Sequence, residues 1–256
     1  MFCDEVGLGK TIEAGLVLRQ LVLSGRVRRC LILAPKSILK QWQQELYEKF
    51  NLDVPRFDGQ QFFRVDDRPA EGNRGNPWDA FPILLAGSQL AKRADRREEI
   101  LSTQGWDLVL IDEAHHARRR DFRQGIYRPN QLLSLINDLN EHGKTRSLLL
   151  ITATPMQLHP IEVWDLLKTL GLGGKWGADE ENYLRFFSEL SKPFDEVDWD
   201  FVFEMVGDYL SASGKFDESF VHQARSELNA VQWSVLEGLP QQHGQRGSAI
   251  RQLSER

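Results

Sequence analysis

No run of apolar residues approaches the roughly 20 that a membrane-spanning helix needs, so no membrane partner is expected and a cytoplasmic setting is. Cysteine is scarce. Cys3 and Cys30 are too few for a disulfide framework, and both lie in or beside strand-like apolar runs, where buried free thiols are expected. Positive charge is not in excess either. A net charge of −5 leaves no global basic field, so any contact with nucleic acid must come from local patches. Internal repeats and low-complexity tracts are also missing. What remains, 256 residues of which 41% are hydrophobic and 27% charged, is ordinary for a globular protein of one or two domains.

The stretch around which the chain is organised comes almost first: Asp4-Glu5-Val6-Gly7-Leu8-Gly9-Lys10-Thr11. Gly-Lys-Thr after a glycine-bearing turn, opening onto an apolar helical run, is a P-loop arrangement. The glycines let successive N–H groups point at one phosphate chain, and the following helix adds its positive end. Gly7, Leu8, Gly9, Lys10 and Thr11 are the candidate nucleotide-binding residues, with Lys10 reaching the β- and γ-phosphates and the Thr11 hydroxyl ligating Mg²⁺. Asp4 stands where the usual first glycine would be. On this pattern alone, an ordinary turn before a helix stays open.

The rest of the first 171 residues alternates strand-like and helix-like segments. Helices are expected from Thr11 to about Ser24, from a Ser37 cap to about Phe50, from about Gln89 to Leu101, over Gln131–Glu141 and over Ile161–Leu170. Strands are expected at Cys30–Ala34, Ile83–Ala86, Leu108–Ile111 and Leu148–Ile151, with a weaker one at Val54–Phe57 that Pro55 would confine to an edge. Residues 64–79 read as an exposed loop. This order predicts an α/β fold with a parallel sheet and its chemistry at the strand carboxyl ends. Beyond it the pattern is helical: near Glu180–Leu190, Asp200–Leu210 and Phe216–Leu239. The acids Asp179, Glu180, Glu181, Asp195, Glu196, Asp198 and Asp200 suit a solvated face, with a charged partner surface as the alternative.

The Leu108–Ile111 run ends in Asp112-Glu113-Ala114-His115. An apolar strand ending in two acids, downstream of a P-loop, is a Walker B arrangement. Asp112 is the expected Mg²⁺ ligand, and Glu113 the group that orients and deprotonates an attacking water. Lys10, Asp112 and Glu113 are thus the candidate catalytic residues. Other features have plainer readings. Adjacent His115 and His116 point apart and have no completing ligands, so no metal other than Mg²⁺ is expected. Arg118, Arg119, Arg120 and Arg123 could follow a DNA backbone or line a solvated loop, and the face Lys92, Arg93, Arg96 and Arg97 carries the same ambiguity. Trp42 and Trp164 read as core.

Four segments in one order carry a resemblance: D-E-V-G-L-G-K-T-I-E-A-G-L, L-I-L-A-P-K-S-I-L-K-Q-W, I-D-E-A-H-H and I-T-A-T-P-M-Q. They resemble motifs I, Ia, II and III of superfamily 2 helicase-like ATPases of the Swi/Snf type, a family in which Asp at the first P-loop position is habitual. The form is similar to the bacterial branch that includes an RNA-polymerase-recycling ATPase. The resemblance covers roughly residues 2–171. It implies a RecA-like ATP-binding lobe over 1–171, a helical insertion or linker over 172–256, and ATP and Mg²⁺ as cofactors. It implies that His115, Thr152 and Thr154 couple nucleotide state to nucleic acid, and that Pro35, Lys36, Ser37 and Ser88 lie along a DNA backbone. Double-stranded DNA, a second RecA-like lobe and a protein such as RNA polymerase are the implied partners.

No second P-loop-like sheet follows in these residues, and only Met1-Phe2-Cys3 precede the loop, a poor strand for what should be a central one. The expectation is a fragment of a longer protein, continued upstream by a strand and an adenine-contacting segment, and downstream by a second lobe. The isolated chain is expected to be weakly active or inactive. The leading functional reading is the ATP-hydrolysing lobe of a DNA-dependent translocase. A nucleotide-dependent interaction module without turnover is the alternative.

Overall fold

Unbroken apolar runs of four or five residues make the middle of the sheet. In the computed structural model, which describes residues 1–3, 9–73, 75–120, 127–153, 159–171, 174, 179–202, 204, 205, 208 and 226, β1 is Cys30–Ala34 and every residue in it is buried. Strands follow at β2 (Arg56–Phe57), β3 (Phe62–Phe63), β4 (Pro69–Ala70), β5 (Ile83–Gly87), β6 (Leu108–Ile111), β7 (Arg119–Arg120), β8 (Arg128–Pro129) and β9 (Leu148–Leu150). Their order in the main sheet is β4-β3-β2-β5-β1-β6-β9. In that order the pairings from β2 across to β9 are parallel, and β3 pairs antiparallel with both β2 and β4. β7 and β8 form a separate hairpin.

Helices cover both faces, which is why the central strands have no polar side. Cys30, Ile32 and Ala34 of β1 face a core shared with Ala14 and Leu18 of α1 (Lys10–Leu23) and with Trp42, Leu46 and Phe50 of α2 (Leu39–Phe50). Leu31 and Leu33 face the opposite core. That core is built with α3 (Ser88–Ala91), α4 (Ala94–Leu101), α5 (Gln131–Glu141) and α6 (Pro160–Thr169). The period-two alternation of strand side chains thus divides one apolar run between two cores. This is the expected α/β arrangement, a mostly parallel sheet flanked by helices.

Several local expectations are corrected. Phe2, before the P-loop, makes an isolated parallel bridge to Ile151, the residue after β9. β2 is not an edge, since it lies between β5 and β3; the Pro55 carbonyl accepts the Leu85 N–H at 3.0 Å, and a proline there still supplies an acceptor. Ser37 caps no helix. It lies in a 3₁₀ turn, Lys36–Ile38, and α2 starts after it with no side-chain cap. The segment read as an exposed loop contains β4 and a turn, Pro77–Asp79, that buries Trp78 completely. Asn76 starts that turn by accepting the Trp78 N–H, and the indole donates to Glu99 at 3.0 Å. The basic helix is broken into α3 and α4 by an extended Arg93.

The chain forms two compact units, Met1–Leu170 and Gly171–Arg256. In the second, α7 (Glu180–Leu190) begins at Asp179, whose side chain accepts the Glu181 N–H. Arg185 bonds Asp198 at 2.7 Å, so two of the acids expected on a solvated face serve local structure. Residues 199–202, 204, 205 and 208 are helical; the Phe216–Leu239 expectation lies outside the described residues apart from Ser226. Among the described residues no helix is long and apolar enough to cross a membrane.

α1 and α2 meet where Gly15 faces Phe50. A Cβ on Gly15 would lie 2.2 Å from Phe50 Cε2, and Phe50 is buried. Gly15→Ala gains about 1 kcal/mol of helix propensity and loses about 1–3 kcal/mol to overpacking. The variant is expected to be less stable. Combining it with Phe50→Leu should cost less than the two single losses added, as read from urea midpoints. Strict additivity would show that this contact does not set the helix spacing.

Candidate functional site

Parallel strands deliver their carboxyl ends to one edge, and the chemistry-bearing residues follow from that direction. β6 ends in Asp112 and Glu113. The Asp112 N–H donates to the Leu33 carbonyl of β1 and the Ala114 N–H to the Ile151 carbonyl, both at 2.8 Å. Held from both sides, the chain turns through a left-handed Glu113, φ 53° and ψ 47°. For a residue with a Cβ this costs about 1–2 kcal/mol. Such strain persists only where the surroundings impose it.

Asp112 is 8% exposed. Its Oδ1 accepts the Glu113 N–H at 2.8 Å and its Oδ2 accepts the indole N–H of Trp42 at 2.7 Å. Burial pushes its pKa above the ordinary carboxylate value. The Trp42 and Glu113 hydrogen bonds and the Lys10 charge oppose that rise, while the Glu113 charge adds to it. His115 Nδ1 lies 2.9 Å from Thr152 Oγ1 and 3.1 Å from Glu113 Oε2. Burial lowers the His115 pKa, and the charges of His116 and Arg118 add to that, so the neutral imidazole is favoured. Thr152 is fully buried, and its N–H donates to the Phe2 carbonyl at 3.0 Å. The acid pair, His115, Thr152 and the strand before the P-loop are therefore in continuous contact.

α1 starts at this edge. Gly9 is its N-cap in the left-handed region, φ 84°, with no side chain capping the helix. A glycine takes that conformation without the Cβ penalty. Ile12 and Glu13 both donate to the Gly9 carbonyl, and Lys10 is the first helical residue. An uncapped helix start carrying a lysine suits an anionic ligand. The Thr11 hydroxyl and the Asp112 carboxylate are hard oxygen donors, and one or two such groups suit Mg²⁺, which keeps water and phosphate oxygens. Among the described residues no three His, Cys, Asp or Glu gather as a metal cage would require. Gly7, Leu8 and Thr154 lie outside the described residues.

The same edge carries the turns after β1 and β5. Lys36 and Ser37 are exposed, Pro35 is half-buried, and Ser88 is buried at 6%. Gln89 joins the two turns: its Oε1 accepts the Lys36 N–H at 3.3 Å and the Ser88 hydroxyl at 3.4 Å.

The basic clusters resolve largely into structure. Arg119 is buried and bonds both oxygens of Asp165, at 2.9 and 2.6 Å, under the rings of Tyr127 and Trp164. Arg118 reaches Glu162 at 3.5 Å. Arg93 pairs with Asp95, Arg96 with Glu99 and Arg97 with Asp138. Arg123 lies outside the described residues. Trp164 is half-buried and covers Arg119 and Lys168. Two residues take roles that their patterns do not show: Trp42, which reads as core, and Gln89, which reads only as the start of a helix. Helical spacing shows that Trp42 is buried; nothing in it shows that the indole meets an acid 70 residues away.

Comparison with known proteins agrees with this geometry. The SNF2-related domain matches residues 1–195. An RNA polymerase-associated protein RapA from Pseudomonas syringae pv. tomato is 38% identical over 158 residues, covering 62% of this chain and 15% of the relative. RapA from Actinobacillus pleuropneumoniae is 36% identical over 160 residues, covering 62% of this chain and 16% of the relative. The chain thus spans about a sixth of the length of these curated relatives. The Sulfolobus solfataricus SWI2/SNF2 ATPase core in complex with dsDNA shares the fold, with a TM-score of 0.53, 16% identity, 98% of this chain covered and 58% of that one. Sequence match and fold agree: the chain belongs to the SNF2-related domain family.

Proposed function

We propose that this chain is the ATP-binding and hydrolysing lobe of a DNA-dependent, helicase-like Swi/Snf translocase that acts in the cytoplasm. Residues 1–171 form the lobe, and 172–256 a helical segment leading toward a second RecA-like lobe of a longer protein. The observation that carries this reading is the meeting at one sheet edge of the α1 start, the Asp112–Glu113 pair and the His115–Thr152 contact.

The roles follow the motifs, and for Gly9, Lys10, Asp112, Glu113, His115 and Thr152 the surroundings support them. The Gly7-Leu8-Gly9 backbone and Lys10 receive the phosphates, and Thr11 and Asp112 hold Mg²⁺. The ion, when bound, neutralises charge on the transferring phosphoryl group. Glu113 orients a water and accepts its proton. His115 touches Glu113 and Thr152 together, so a shift in one is felt by the other, and Thr154 extends that link toward nucleic acid. Pro35, Lys36, Ser37 and Ser88 follow the phosphate backbone of double-stranded DNA, where small polar groups and helix starts make contacts without reading sequence. The name of the RapA relatives makes RNA polymerase the protein partner to test.

Lys10→Ala is expected to weaken binding of a fluorescent ATP–Mg²⁺ analogue by about ten- to a hundredfold, the size of a lost charge-assisted contact, with an unchanged melting temperature. Parent-like affinity, or an unfolded variant, would remove Lys10 from the site. Glu113→Gln in the longer motor should keep ATP binding and slow DNA-stimulated phosphate release by about 10²–10⁴-fold. Unchanged turnover would take Glu113 out of the mechanism. ATP binding without any phosphate release by the parent motor would instead favour the interaction module.

A further inference from the structure

The two bonds on the Asp112 carboxylate differ in origin. The Glu113 N–H is the next residue's backbone, and any turn at this place would supply it. The Trp42 N–H comes from 70 residues earlier, on the first turn of α2, and approaches the other oxygen. With both oxygens held, the carboxylate plane is fixed and its remaining lone pairs point in set directions. An indole N–H is only a donor, so it cannot itself compete for a cation.

Packing alone would also put a tryptophan here, because Trp42 is 1% exposed in the core shared by α1, α2 and β1. Packing does not explain the bond. Trp106 is comparably buried at 4%, and its Nε1 has no hydrogen-bond partner among the described residues. The Trp42 donor is aimed at one particular acid, at 2.7 Å from its Oδ2. Groups that orient a metal ligand from behind are worth about 10- to 100-fold in metal affinity.

We propose that Trp42 is a positioning residue whose indole N–H holds the Asp112 carboxylate in the orientation that ligates Mg²⁺. This rests on Asp112 being the Mg²⁺ ligand, and the test separates the two ideas.

The experiment titrates Mg²⁺ into the chain with a fluorescent ATP analogue and repeats the nucleotide titration in EDTA. Trp42→Phe, which keeps an aromatic ring and loses the donor, should raise the half-saturating Mg²⁺ about 10- to 100-fold. Its affinity in EDTA should stay within about twofold of the parent, since the contacts of nucleotide without metal are untouched. Replacing Trp42 by 3-benzothienylalanine, which keeps the bicyclic shape and exchanges N–H for sulfur, should shift the Mg²⁺ requirement in the same way and guards against loss of folding in the smaller variant. Phe50→Leu, a packing change in the same core, should leave the requirement alone. A Trp42 shift no larger than that of Phe50→Leu, with Asp112→Ala still strongly impaired, overturns the Trp42 role only. If Asp112→Ala is not impaired, the metal assignment and the Trp42 role fall together.

Discussion

The parallel register of β5, β1, β6 and β9 is the constraint on which the rest of this structure depends. Parallel strands share a direction, so every turn that leaves their carboxyl ends emerges along one edge. That places Ser88, Lys36, Asp112 and Thr152 in a row although they are far apart in sequence. The pairing of Phe2 with Ile151 brings the start of α1 to the same row. Covering both faces with helices keeps the strands dry, and chemistry is left to the edge.

The edge itself is not relaxed. Asp112 is buried against the preference of a carboxylate for water, and Glu113 occupies a backbone region that residues with a Cβ avoid. Backbone bonds to Leu33 and Ile151 hold the turn, and the Trp42 indole holds the acid. Local preferences fail here while the surrounding sheet satisfies them, and a site whose groups must be ready before the ligand arrives has that character.

Much of this was legible in the sequence. Cys30–Ala34, Leu108–Ile111, Gln131–Glu141 and Glu180–Leu190 are found at the residues their patterns indicate, because doubly covered strands are unbroken apolar runs and amphipathic helices show their period. Of the two-residue strands, β2 falls within the expected Val54–Phe57, but β3 and β4 were not legible, since so short a segment has no period. Long-range side-chain partners were hidden as well. Arg119 looks like a free basic residue until Asp165 meets it from 46 residues away, and Trp42 looks like filler until its N–H is seen on Asp112. Residue types and spacing announced the acids and the Gly-Lys-Thr turn; that an indole holds Asp112, and Asp165 holds Arg119, depended on the packing of α2 and α6.

The central claim is that this edge is one ATP–Mg²⁺ site. A crystal structure of the chain with Mg²⁺ and a non-hydrolysable ATP analogue tests it most directly. The expected density has the triphosphate against Gly9, Lys10 and Thr11 and the cation beside Thr11 and Asp112, with the Trp42 indole still on the far oxygen. Nucleotide seated away from the α1 start, or a cation that makes no approach to Asp112, would contradict it.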